Sequence, residues 1–340
     1  MKIAALAPFP FANGEFGGAE RIDNLLTSIK HPVRVFIANS GATGIEKYKN
    51  LEMVFVKIPQ DTGASEYDFA VSRSAKECFR QLLSDYDPDL VILEHPWQVQ
   101  AIDGQKFVYD AHNNEAEIKR LIRGDAQASE AGQLEALALD ADHVTFCSKS
   151  DKLATSSPTT WIPNGTEWPN AKNSVGKASK VLLFSGSAHP PNIGAAITLA
   201  GLAPALQNYE IVITGSCSEM ITGQAPNVHL LGHVTKKTLN YLMRTAHAFV
   251  NPIAAGSGTS LKVIKSLSYG LPVISSSIGA RGYEDGCIVA KTAQGVIDSL
   301  ERLKSPSEWE MASERSVAFA RPYSWEAVGA KFNQVIEGLL

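Results

Sequence analysis

The feature that most constrains the fold is an alternation of short apolar runs with segments of helical period. Such runs cover 2–8, 33–39, 52–58, 89–95, 106–112 and 143–148, and after a break they cover 180–186, 209–215, 227–232, 247–253 and 271–277. Each is long enough for a buried strand and too short to cross a membrane. Helical spacing falls between most of them, notably around 192–206, 235–246 and 260–269. Strands that alternate with helices build parallel, doubly wound sheets. The break, "TEWPNAKNSVGKAS" (166–179), is polar and aperiodic and reads as a linker. A chain of 340 residues also exceeds what one hydrophobic core usually supports. Two Rossmann-like α/β domains in tandem are therefore predicted, 1–166 and 180–322. An amphipathic terminal helix follows in 323–340, where "YSWEAVGAKFNQVIEGLL" has apolar residues at helical spacing.

Charge and cysteine usage narrow the function. The net charge is −4 and the cations are scattered, which argues against a protein dedicated to nucleic acid or another polyanion. Cys78, Cys147, Cys217 and Cys287 lie far apart, in or beside apolar runs, as reduced thiols of a cytoplasmic protein do. No CxxC or Cys/His cluster points to a metal, so no metal site and no cofactor are expected. The apolar start "MKIAALAPFPF" is too short and too proline-rich for a signal peptide or membrane span. Contact with a membrane surface is compatible with all of this.

In doubly wound sheets ligands bind beyond the carboxyl ends of the strands, so the strand-to-helix loops carry the candidates. The loop "PFPFANGEFGGAERIDNLL" (8–26) passes several glycines and enters a helix near Gly18. Bare amides at a helix N-terminus suit a phosphate, and glycines before a helix are equally ordinary turn chemistry. "LEHPW" (93–97) and "YDAHNNEAEIKR" (109–120) each place a histidine at a strand end, His95 and His112. Either histidine can bind a ligand, cap the next helix or bond a carbonyl. Asp110, Asn113, Asn114 and Glu115 crowd His112 and favour it for polar chemistry. Glu115 also suits the start of a helix, where the dipole favours an acid.

"FSGSAHPPNIGAA" (184–196) repeats the strand, glycine turn and helix arrangement, with Asn192 as the expected N-cap and His189 exposed without an assigned role. The last loop is "GSGTSLKVIKSLSYG" (256–270). Gly256, Ser257, Gly258 and Thr259 let backbone amides approach an oxyanion, and a helix starting near Ser260 adds its dipole. Lys262 sits in the first turn, where a cation opposes the dipole unless an anion is bound there.

"GSGTSLKVIKSLSYGLPVISSSIGARG", together with "GGAER", "IPNG" and "LLGHV", resembles the family 4 type of GT-B glycosyltransferases, and the likeness runs over nearly the whole chain. The resemblance implies two Rossmann-like domains facing a cleft, with a nucleotide-sugar donor on the C-terminal domain and a hydroxyl acceptor on the N-terminal one. It implies transfer with retention of configuration, usually without a metal, and a terminal helix that crosses back to the N-terminal domain. By position, His112, Thr259 and Lys262 become the candidate catalytic residues. Gly17, Gly18, Gly186, Ser187, Gly232, His233, Val234, Ser257, Gly258, Ser260, Leu261, Lys265 and Arg281 become the donor-binding set. Glu15, Phe16, His95 and Asn113 fall on the acceptor side.

Two departures stand out. The family's EX7E element carries two glutamates eight positions apart, and here those positions hold Ser257 and Lys265. The arginine and lysine that many members use for the diphosphate align with Ser187 and Ile193. The resemblance therefore implies a retaining glycosyltransferase acting on a glycan, a lipid-linked sugar or another hydroxyl acceptor, a modified DNA base included. The losses keep open a nucleotide-sugar-binding protein without catalysis and, further off, an epimerase of the same architecture.

Overall fold

Strands such as "IAALA" and "LVILE" are buried along their whole length, as central strands of a sheet covered on both faces must be. The computed structural model describes all residues except 13, 15, 16, 40–42, 59–69, 152, 153, 223, 224 and 257. Glu15, Phe16 and Ser257 thus lie outside the described residues. The chain divides into two compact units, Met1–Pro163 with Trp325–Leu340, and Asn164–Ser324.

The first unit holds an eight-stranded sheet. Its strands are β1 (Ile3–Ala7), β2 (Val33–Asn39), β3 (Gly44–Tyr48), β4 (Leu51–Lys57), β5 (Leu90–Glu94), β6 (Phe107–Ala111), β7 (His143–Phe146) and β8 (Thr159–Trp161), in the order β3-β4-β2-β1-β5-β6-β7-β8. All neighbours are parallel except β3, which pairs antiparallel with β4 at the edge. Register matters at one end. Glu94 of β5 stands opposite Asp110 of β6, and Asp110 opposite Thr145 of β7, so three polar side chains share the carboxyl edge. The strand order turns between β1 and β5, the usual place for a ligand in such sheets.

Helix α1 (Gly17–Ser28) follows β1 and packs against the terminal helix Trp325–Leu339. A Cβ on Gly329 would fall 2.5 Å from Ser28 Cβ, so the two helices meet where glycine alone fits. Asn333 fastens the contact, its Oδ1 accepting from the Lys30 amide at 3.1 Å and its Nδ2 donating to the Ser28 carbonyl.

The second unit has a six-stranded, fully parallel sheet of β9 (Val181–Ser185), β10 (Glu210–Thr214), β11 (Val228–Leu230), β12 (Ala248–Asn251), β13 (Val273–Ser275) and β14 (Ile288–Val289), in the order β11-β10-β9-β12-β13-β14. Its turning point lies between β9 and β12.

The stretch 166–179 is not a free linker but part of this unit. Asn173 is buried, with Nδ2 on the carbonyls of Met243 and Ala246 at 3.1 and 2.8 Å and Oδ1 on the Gly176 amide at 2.8 Å. A polar side chain that satisfies three backbone groups leaves no apolar period to read. No described helix is long and apolar enough to cross a membrane.

Candidate functional site

In the first unit the site starts from Arg21 on α1, which is 1% exposed. Its Nε and Nη2 donate to Asp110 Oδ2 and Oδ1 at 2.8 and 2.6 Å, and its Nη1 donates to the Ile162 carbonyl at 3.0 Å. A buried guanidinium needs this two-toothed pairing, because an unpaired charge in the interior costs several kcal/mol, about 3–5 when one partner is removed. Thr145 Oγ1 adds a 2.5 Å bond to Asp110 Oδ1.

Asp110 also lies 3.3 Å from His112 Nε2, which bonds Glu94 Oε2 at 2.8 Å. Burial alone would lower the His112 pKa. The hydrogen bonds and charges of Asp110 and Glu94 outweigh it and push the imidazole up to about 9. Burial raises Glu94, while Asp110 is driven far below the carboxylate range because Arg21 and His112 outweigh its desolvation. Two cations, Arg21 and His112, thus balance two carboxylates. The ligand atoms of Glu94, Asp110 and His112 all lie within 4.8 Å of one another, a spacing that suits a cation. Here both Asp110 oxygens are taken up by the guanidinium, so the set is balanced without an ion.

His95 is packed beside this cluster, its ring centroid 4.2 Å from that of His112 and 5.9 Å from the stacked Trp97 ring. Its backbone has φ 75° and ψ 152°, a region that only glycine adopts freely and that costs a side-chain-bearing residue about 1–3 kcal/mol. His95 Nδ1 bonds Glu115 Oε1 at 3.0 Å, and Asn113 Nδ2 donates to the same oxygen at 3.2 Å. Burial and the neighbouring His112 cation lower the His95 pKa. Burial would raise Glu115, but the hydrogen bond and charge of His95 bring it below the usual range. Glu115 also opens helix Glu115–Arg123, which Asn114 caps by accepting from the Glu117 amide at 3.0 Å. Both expectations for Glu115, helix start and polar partner, describe the same residue. The buried polar atoms without a partner among the described residues include Glu94 Oε1, His95 Nε2, both amide atoms of Gln98, and His112 Nδ1, all on or just beyond the ends of β5 and β6. Gly17 and Gly18 open α1 at the end of the first loop, Gly17 exposed and Gly18 half-buried.

In the second unit the loops after β9 and β10 close on each other. Gly186 N donates to the Thr214 carbonyl, and Cys217 N to the Gly186 carbonyl. A Cβ on Gly215 would meet the Gly186 carbonyl oxygen at 2.2 Å, so residue 215 must be glycine for the loops to touch. Gly232 joins them, its carbonyl accepting from the Gly215 amide at 2.6 Å and its amide donating to Ser218 Oγ at 3.0 Å. His233 beyond it is exposed and Val234 half-buried.

Lys262, second residue of helix Leu261–Ser268, extends to these loops. Its Nζ donates to Asn192 Oδ1 at 2.5 Å and lies 4.8 Å from the centre of the Phe184 ring. A Cβ placed on Gly186 would be 3.2 Å from that Nζ. The side chain keeps some exposure, but its ammonium is enclosed, and burial pulls its pKa down to about 8. An ammonium has three donors, and one bond is made among the described residues.

Asn192 is therefore not the expected N-cap. Helix Pro190–Gly201 starts three residues earlier than that cap would place it, because Pro190 and Pro191 suit its first turn, and His189 takes the cap position. Asn192 instead bridges Lys262 to Ser187, its Nδ2 donating to the Ser187 carbonyl and Oγ, both at 3.2 Å. At the start of the Lys262 helix Ser260 makes no capping bond, and its Oγ is buried without a partner among the described residues.

The glycine loop before Ser260 is braced from outside. Arg281 Nε and Nη2 donate to the carbonyls of Gly258 and Gly256 at 2.9 and 2.6 Å. Arg281, expected on the donor, spends these two N–H groups on the loop. Thr259 Oγ1 accepts from Asn164 Nδ2 at 2.9 Å and lies 3.3 Å from the Tyr283 hydroxyl. Leu261 and Lys265 are half-buried on the same helix as Lys262.

The structure therefore brings together Lys262, Gly186, Ser187 and Gly232 in one unit, and His112, His95 and Asn113 in the other. Sequence reading missed Glu94, Arg21 and Asn192 as partners. The only signal for Arg21 was its place in "GGAER", four residues into a helix that faces the sheet.

Residues 179–305 match the sequence profile of a family described as Glycosyl transferases group 1. Among solved structures, sucrose-phosphate synthase from Thermosynechococcus elongatus is similar with a TM-score of 0.80 at 14% identity, over 100% of this chain and 99% of that one. HepE of Anabaena, solved in complex with UDP and glucose, gives 0.72 at 14%, over 98% of each chain. An alpha,alpha-trehalose-phosphate synthase (UDP-forming) from Burkholderia xenovorans, in complex with glucose-6-phosphate, gives 0.70 at 11%, over 99% of this chain and 100% of that one. No curated protein sequence matches the chain significantly. The chain thus has the GT-B fold of these glycosyltransferases, and its second unit carries the sequence pattern of the glycosyl transferases group 1.

Proposed function

We propose that the protein is a glycosyltransferase that moves a sugar from a nucleoside diphosphate to a hydroxyl acceptor with retention of configuration. The observation that carries this reading is Lys262. An enclosed ammonium with unspent donors, at an uncapped helix start and beneath a glycine loop, is a site made for an anion. In the reaction the bond from the anomeric carbon to the diphosphate oxygen breaks, the acceptor oxygen bonds to that carbon from the same face, and the acceptor's proton passes to the departing phosphate. Negative charge grows on the leaving group, and Lys262 with the amides of the glycine loop stabilises it. His112, held as a cation by Glu94 and Asp110, binds a hydroxyl of the sugar. Lys262 takes over the charge that the chain lacks at Ser187 and Ile193, and no metal is invoked.

Lys265 and Ser257, in place of two carboxylates, favour a second reading in which the protein binds nucleotide sugars without turning them over. Incubation with UDP-, GDP-, dTDP- and CMP-sugars separates the two. Release of nucleoside diphosphate, lost in Lys262→Ala, supports transfer. Thermal stabilisation by a donor without release supports the second reading.

A further inference from the structure

In the second unit one amide side chain stands between the loop after β9 and the helix that carries Lys262. Asn192 Oδ1 accepts from Lys262 Nζ at 2.5 Å, and Nδ2 donates to the Ser187 carbonyl and Oγ, both at 3.2 Å. A carbonyl can only accept and an ammonium can only donate, so the amide cannot be turned round and its oxygen is committed to Lys262. Gly186 makes room for the pair. A Cβ there would fall 2.9 Å from Asn192 Cβ and Cγ and 3.2 Å from Nζ. The partner is neutral, and among the described residues no carboxylate pairs with Lys262. Burial draws the Lys262 pKa down to about 8. A carboxylate in place of the amide would restore the ammonium but cancel its charge, and an arriving anion would meet a closed ion pair. An amide oxygen orients the ammonium and leaves its charge uncancelled.

We propose that Asn192 is the positioning residue of this anion site: anchored on Ser187, it holds the Lys262 ammonium over Gly186 so that its remaining N–H groups and its full charge serve the diphosphate. Asn192 itself need not touch the ligand, because its four-atom reach is spent on Lys262 and Ser187. This deepens the function proposed above and rests on it for the identity of the anion.

The test joins a titration of Lys262 to nucleotide binding, both on the full chain. The 13Cε resonance of Lys262, assigned by its loss in Lys262→Ala, is followed against pH without ligand. Asn192→Asp keeps the shape of the side chain and adds a charge, so it should raise the Lys262 pKa. An unchanged titration in the folded Asn192→Asp protein overturns the proposal. Calorimetry at pH 7 then gives the dissociation constants of UDP, GDP, dTDP and CMP for the same proteins. Asn192→Ala should weaken the best-bound nucleotide roughly tenfold, and Asn192→Asp should weaken it further. That order separates positioning from packing, since a side chain that merely tied Lys262 to the loop would be replaced, even strengthened, by a carboxylate. The fall of affinity that accompanies deprotonation of Lys262 should also move to higher pH in Asn192→Asp. Wild-type affinity in Asn192→Ala, or tighter binding by Asn192→Asp than by Asn192→Ala, overturns the proposal. If Lys262→Ala weakens binding while both Asn192 variants bind like the wild type, this proposal fails and the diphosphate site stands. If Lys262→Ala binds like the wild type, or no nucleotide binds at all, the underlying reading fails and takes the proposal with it.

Discussion

Replacing Arg21 by methionine keeps the apolar stem and deletes, among its other bonds, two hydrogen bonds to Asp110 at 2.8 and 2.6 Å and one to the Ile162 carbonyl at 3.0 Å. Asp110 is then left as a buried carboxylate with Thr145 and a more distant His112. Removing one partner of such a pair costs about 3–5 kcal/mol. Asp110→Asn strands Arg21 instead and should cost a similar amount. The double variant leaves neither charge orphaned, so its cost should fall short of the sum of the two by about 2 kcal/mol or more. Urea unfolding at pH 7 measures this. With m of about 1–3 kcal/mol/M, either single variant should lower the midpoint of the first unit by about 1 M or more. A cost below about 1 kcal/mol for Arg21→Met, or two single costs that simply add, would refute the view that this pair anchors the site.

Three further outcomes are expected. The His112 pKa is raised to about 9, so its stabilising effect is complete below the unfolded value near 6.5 and is lost as pH rises through 9. NMR titration of Asp110→Asn should find the His112 pKa lowered. Gly186→Ala should weaken donor binding roughly tenfold at a stability cost of about 1–3 kcal/mol, because the new methyl falls 2.9 Å from Asn192 and 3.2 Å from Lys262 Nζ. Isothermal titration and thermal melts check both numbers. Donor affinity should also fall above pH 8, where free Lys262 loses its proton, and this fall should disappear in Lys262→Arg.

Most strands were legible because they are continuous apolar runs, and they end within a few residues of the expected positions. β3 was not, because "GIEKY" is an exposed edge strand with no buried face to leave a pattern. β14 has two residues and carries no period at all. The polar stretch 166–179 looked like a linker because Asn173 is anchored by hydrogen bonds instead of apolar contact. In the site, His112 and Lys262 could be found from their places after strands and glycines. Their partners could not. Arg21 lies 89 positions from Asp110 and Lys262 70 from Asn192, and only the sheet order brings them together. Asn192 was misplaced for a local reason, since two prolines shift the helix start upstream.

The central claim is that Lys262 holds a nucleotide sugar by its diphosphate. The direct measurement is the dissociation constant of the best-binding member of the nucleotide-sugar panel, by calorimetry at pH 7, for the wild type and Lys262→Ala. Loss of a charge-assisted contact should weaken binding roughly 10- to 100-fold, while the isolated melting temperature changes little. Equal affinities for the two proteins, or no binding of any nucleotide sugar by the wild type, would contradict it.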